Sequence, residues 1–138
     1  MTQGNVELVA RWFEEVWNQR REETIDELLT DSSICYADQG SLRGPDAFKQ
    51  RQYFPFLAAF PGLRITVHGL IGEGDEVVVR WSAEGVHRGE GLGFAPTGEA
   101  VSLNGLTWVK VRDGKMMEAW QHSNIPAVIG HLASLAGA

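Results

Sequence analysis

The stretch VSLNGLTWVKVRDGKMMEAWQHS, residues 101–123, reads as two long strands folded back on one tight turn. β-Branched and aromatic residues fill both arms. Asp113-Gly114 between them is a pair that a two-residue type I′ hairpin favours, because both of its central positions need a positive φ. Pairing the arms straight about that turn puts Glu118, Trp120, His122 and Asn124 on one face. Leu103, Gly105, Thr107 and Val109 share that face, since side chains alternate with a period of two. A bulge would reverse the assignment.

Working outward, Leu63 to Ile71 and Glu76 to Arg88 are two further strand stretches, separated by Gly72-Glu73-Gly74-Asp75. The more apolar set of the second is Val77, Val79, Trp81, Ala83 and Gly85, followed by His87, and we read it as facing the same interior. A Gly-rich stretch, Gly89 to Gly98, leads into the hairpin. Upstream, Val6, Val9, Trp12, Phe13, Val16 and Trp17 have the spacing of an amphipathic helix. Thr24 and Glu27 have capping-box spacing for a second helix. Ile34 to Asp38 is a short strand ended by Gln39-Gly40-Ser41. Gly44-Pro45-Asp46 starts a third helix that passes Phe48, Arg51 and Tyr53 and kinks near Phe54, before Pro55. A last helix follows Asn124, with Pro126 in its first turn. The reading is one α+β domain over residues 1–138. Three N-terminal helices pack on a curved antiparallel sheet and leave an internal cavity.

The chain has 138 residues, 43% of them apolar and 22% charged, with a formal net charge of -6. It shows no basic face for a nucleic acid or an anionic membrane, and no apolar run near the roughly 18–20 residues of a membrane span. Its first residues lack a signal-peptide layout, so the expectation is a cytoplasmic protein. Cys35 is the only cysteine, read as a buried apolar residue. His87, His122 and Asp38 have no short metal-ligand spacing, so neither metal nor cofactor is expected.

Five stretches, taken in order, resemble the SnoaL-like polyketide cyclase and ester cyclase family. They are Phe60-Pro61-Gly62-Leu63-Arg64, Val78-Val79-Arg80-Trp81, Gly85-Val86-His87-Arg88-Gly89, Pro96-Thr97-Gly98, and Gly114-Lys115-Met116-Met117-Glu118-Ala119-Trp120. The likeness covers nearly the whole chain. It implies the cone-shaped, nuclear transport factor-like fold with an apolar cavity, homodimers or tetramers packed through the outer sheet face, and metal-free acid–base chemistry. Relatives close a polyketide ring by an aldol step, and others on the fold isomerise, hydrolyse or only bind. The family's acid lies just after the Trp of the last strand, commonly as Trp-x-x-x-Asp. Here Trp120-Gln121-His122-Ser123-Asn124 has amides at both Gln121 and Asn124.

Two groups are candidates for the base: His122, because imidazole is the side chain suited to proton transfer near neutral pH, and Asp38, because a carboxylate gains basicity in an apolar site. Tyr36 and Tyr53 are candidate hydroxyl donors to a ligand carbonyl. Trp81 and Trp120 are candidate flat walls for a small apolar or ring-shaped ligand. Asn124 would orient a carbonyl, and His87 would sit at the rim. Trp108, with Leu106 and Ala119, would form an apolar outer patch that a second copy covers. Three readings stand: a cyclase-type enzyme, a binding protein of the same fold that lost the acid, and an epoxide or ester hydrolase.

Overall fold

Along the first helix the apolar stripe is continuous, but the helix changes character halfway. In the computed structural model, which describes residues 2–38 and 40–138, α1 (Thr2–Arg11) runs into a π-helical segment, Trp12–Asn18. Trp12, Phe13, Val16 and Trp17 are all buried there. Gln39, expected in the turn after the first strand, and Met1 lie outside the described residues. Next come α2 (Glu22–Leu28), β1 (Ile34–Ala37), β2 (Gly40–Arg43) and α3 (Gly44–Phe48). A second π-helical segment, Lys49–Tyr53, leads into α4 (Phe54–Ala59), so the expected kink before Pro55 is a change of helical winding. Then β3 (Arg64–Glu73), β4 (Glu76–Val86), β5 (Ala100–Arg112), β6 (Lys115–Ser123) and α5 (Ile125–Leu135) complete the domain.

The six strands form one open sheet in the order β2-β1-β6-β5-β4-β3. Asp113 and Gly114 have φ of 53° and 73°, the left-handed pair that the hairpin requires. β1 runs parallel to β6, so the sheet is mixed rather than wholly antiparallel. The ladder slips at Val67/Gly69 and at Lys110/Val111, and such bulges bend and twist a sheet. Val77, Val79, Trp81 and Ala83 of β4, with Leu103, Thr107, Val109 and Val111 of β5, are buried under the helices. Asn18 fastens the helical layer to the edge strand. Its Nδ2 donates to the Ile65 carbonyl at 2.9 Å, and the Ile65 N–H donates to its Oδ1 at 2.7 Å.

The capping box expected for α2 is absent. The Thr24 hydroxyl instead donates to Glu15 Oε1 at 2.7 Å, and Glu27 pairs with Arg11 and Arg21. The Arg11 guanidinium, helped by Thr24, holds the Glu15 carboxyl down at about 2. A carboxylate held low stabilises the fold above its unfolded pKa, and that contribution is lost as pH falls from about 4.5 toward 2. Glu15→Gln should therefore cost about 1–2 kcal/mol at pH 7. The gap to wild type should close in acid, as read by urea unfolding at neutral and acidic pH. A constant gap would contradict this.

The segment from His87 to Glu99 crosses the end of α4 as a strap. Arg88 and Gly89 N–H groups both donate to the Ala59 carbonyl, at 3.1 and 3.2 Å. Gly89 has no room for a side chain, because a Cβ there would overlap the Ala58 carbonyl oxygen.

Candidate functional site

The straight pairing expected about Asp113-Gly114 holds for two rungs, Arg112 with Lys115 and Val111 with Met116. Lys110 then faces Glu118, not Met117. This one extra residue reverses the expected faces of β6. Ala119 and Gln121 lie inward opposite Val109 and Thr107, while Glu118, Trp120 and His122 lie on the outer face opposite Lys110, Trp108 and Leu106. Two adjacent apolar residues, Met116-Met117, break the period of two, and that break is the sign of the bulge in the sequence.

The interior is a narrow apolar cavity of about 60 Å³ in its main part. The two π-helical segments supply much of its lining: Trp12, Phe13 and Trp17 from the first, and Gln52 from the second. Single π-helical turns gather at functional sites. β1 and β6 add Cys35, Ala119 and Gln121. A smaller lobe extends past Trp81, Leu103 and Ile125 and shares Phe13, Trp17, Gln52 and Gln121.

The polar groups inside form a short chain. Trp81 Nε1 donates to Thr107 Oγ1 at 2.9 Å, and the Thr107 hydroxyl donates to Gln121 Oε1 at 3.5 Å. Having received the indole N–H, the hydroxyl must give its own proton onward, which leaves the Gln121 amide N–H₂ for another partner. Burial, and then the charge of Asp38, push the Cys35 thiol up to about 11. At neutral pH it is a thiol, not a thiolate. Iodoacetamide should label Cys35 at least tenfold more slowly than a free thiol at pH 7.5, measured by mass spectrometry. Labelling at the free-thiol rate would contradict the burial.

Of the residues expected at the site, Trp81 lines the cavity. The others do not gather there. Trp120 stacks on Tyr36 on the outer face, with ring centroids 5.8 Å apart and an interplanar angle of 19°. His122 is exposed on that face. Asp38 is exposed beyond β1, where its Oδ2 accepts from the Ser123 hydroxyl at 2.5 Å and ties the two strand ends together. Asn124 zips β5 to the start of α5: its Oδ1 accepts from Asn104 N–H at 2.8 Å and its Nδ2 donates to the Ser102 carbonyl at 3.1 Å. Tyr53 is buried among Trp17, Phe48 and Phe54, and burial raises its phenol pKa. It is a packing residue.

His87 is buried under the strap, not at a rim, between the rings of Phe60 and Phe94. Its Nδ1 accepts the Thr97 N–H at 3.2 Å, which places the proton of a neutral ring on Nε2. That Nε2 has no partner among the described residues. Ala119, expected on the outer patch, faces the cavity instead. Gln52 and Gln121, which alternation alone did not place inside, are the amides of the interior that remain open to a ligand, and Glu118, beside the bulge, also borders the main cavity. Among the described residues, no three His, Cys, Asp or Glu side chains gather as a metal site. No described helix is long and apolar enough to cross a membrane.

Comparison with solved structures finds the same architecture end to end. A protein from Jannaschia sp. CCS1, assigned as a SnoaL-like polyketide cyclase, aligns at 25% identity with a TM-score of 0.86, covering 97% of this chain and 94% of that one. AclR from Streptomyces galilaeus, assigned as a hydroxylase, aligns at 24% identity and TM-score 0.82 over 97% and 83% of the two chains. IdmH from Streptomyces antibioticus, assigned as a polyketide cyclase, aligns at 24% and 0.76 over 97% and 99%. No curated protein matches the chain. The family model for SnoaL-like polyketide cyclases matches residues 7–129. Because that match spans most of the chain, and the overall fold agrees, the chain belongs to the SnoaL-like polyketide cyclase family.

Proposed function

We propose that this protein takes a flat, mainly apolar carbonyl compound into its cavity and orients it by neutral hydrogen bonds, without an acid at the family's position after Trp120. The observation that carries this reading is the pair of amides after Trp120: Asn124 stands where the family resemblance commonly puts the acid, and Gln121 lines the cavity. An amide orients a carbonyl oxygen but does not shuttle a proton. The free amide of Gln121, with Gln52 also on the cavity wall, gives such an oxygen its donors. The aromatic walls suit a ring. Cys35, held as a thiol, adds no base.

Cyclase-type turnover with His122 or Asp38 as base is the second reading, and family membership favours it. It needs a ligand at the outer face, where His122 borders a shallow groove with Arg80, Ser82 and Asn104. Calorimetric titration with small aromatic ketones, enol esters and epoxides separates the two readings. The expected result is binding without turnover. Gln121→Leu and Gln52→Leu should each weaken ketone binding about five- to tenfold, while His122→Ala and Asp38→Asn leave it unchanged. Turnover that disappears in His122→Ala or Asp38→Asn would reverse the ranking.

For the outer face we propose a second copy of this chain as its partner. Strand register sets three rows across it: Glu76, Lys110 and Glu118; then Val78, Trp108, Trp120 and Tyr36; then Arg80, Leu106 and His122. Leu106 and Trp108 are 51% and 49% exposed. A two-fold axis through the aromatic row sets the net acidic row of one copy toward the Arg80 row of the other.

A further inference from the structure

We infer that the ligand carries an acidic group, a carboxylate in the simplest case, which Arg51 holds at the mouth of the cavity; this rests on the ligand-binding reading above. Gln52 stands between the interior and an outer cleft, which we take as its opening. That residue lines both inner lobes and also the outer opening, where it stands with Ser41, Leu42, Arg51, Leu92 and Ile129. Arg51 is the one charged side chain lining that opening among the described residues. It precedes Gln52 in the second π-helical segment, so the cation and the amide stand side by side, one at the opening and one reaching inward.

Electrostatics at the opening favour an anion. Of the 12 basic side chains, three are held by surface acids among the described residues. Glu15 and Glu27 engage Arg11 and Arg21, while Glu22 and Asp26 engage Lys49, two residues before Arg51. Arg51 makes no ion pair among the described residues, and no carboxylate side chain among them lines the opening. A guanidinium presents a planar fork that grips a carboxylate through two parallel hydrogen bonds. At the opening the anion keeps much of its hydration, so it avoids the cost of carrying a charge into an apolar interior. The interior lining has the complementary character: aromatic rings, two hydroxyls, a thiol, two amides and the acidic Glu118, with no cation to receive an anion. The ligand therefore enters rings first and leaves its charge at Arg51.

The test is calorimetric titration of the whole chain with naphthoate and naphthamide, which match in size and shape and differ in charge. Wild type should bind naphthoate about tenfold more tightly, and the preference should shrink as salt rises. Arg51→Gln should abolish the preference and leave naphthamide affinity unchanged. Arg51→Lys should retain part of it. Arg112→Gln removes the same charge from an exposed site at the far end of β5 and should retain all of it. Equal affinities in wild type, or a preference that survives Arg51→Gln, would overturn the inference while the ligand-binding reading stands. If neither compound binds, the ligand-binding reading fails and takes the inference with it.

Discussion

Trp108→Glu should turn a two-chain assembly into single chains. Light scattering at micromolar concentration should report twice the 15.2 kDa chain mass for wild type and the single-chain mass for the variant. Trp108 sits mid-row between Val78 and Trp120, and an indole buries about 150–250 Å² when covered. The substitution removes that area and puts a carboxylate where a partner would strip its water. It also sets the new charge beside Glu76, whose Oε1 now accepts the indole N–H at 2.8 Å. Two-fold symmetry doubles each loss, so affinity between chains should fall by at least a thousandfold, from about 2–5 kcal/mol per buried uncompensated charge. Because Trp108 is half exposed in the single chain, the fold should survive, and an unchanged circular dichroism spectrum checks this. Leu106→Ser, in the next row, should act the same way more weakly. Wild type running at the single-chain mass would sink the proposal.

Gly89→Ala should detach the strap. Its methyl would overlap the Ala58 carbonyl oxygen, which belongs to helix backbone and has little freedom to move. The strap must lift, and the two bonds to the Ala59 carbonyl go with it. The expected cost is about 2–4 kcal/mol of stability. Hydrogen exchange should quicken at Arg88, Gly89 and Thr97, whose amides lose their acceptors as the strap leaves α4 and His87. Gly62→Ala is the control, since a Cβ there meets nothing within 4 Å. Equal stability of the two variants would mean that the strap is not seated as described.

The parts of this molecule legible from sequence are those set by local chemistry. Asp113-Gly114 specifies a turn that only positive-φ residues fill, and the β-branched arms beside it have no competing helix period. The inward rows of β4 and β5 follow from simple alternation because neither strand slips against the other. What escaped depends on partners distant in the chain. β2 has the residues Gly40, Ser41, Leu42 and Arg43, which carry almost no strand preference, and becomes a strand because β1 offers its edge. The π-helical winding at Trp12–Asn18 was not legible, because the apolar spacing there reads as an ordinary helix. The bulge at Met117 had the widest effect, because Glu118, Trp120 and His122 all take their faces from it. Asp38 was legible as a polar strand end, but not that Ser123 would occupy its carboxylate. Nothing in the sequence sets Arg51 and Gln52 apart from the other polar residues of their helix.

The five tryptophans are divided by the sheet, and the division supplies two independent optical gauges. Trp12, Trp17 and Trp81 are shielded within the core, whereas Trp108 is half exposed and Trp120 shares its face. A soluble quencher such as iodide reaches only the outer pair, so its quenching of emission follows whatever covers that face. A compound entering the cavity disturbs the inner three and leaves the iodide-sensitive part of the emission unaltered. Assembly and ligand uptake can thus be followed separately in one cuvette, on the unlabelled chain.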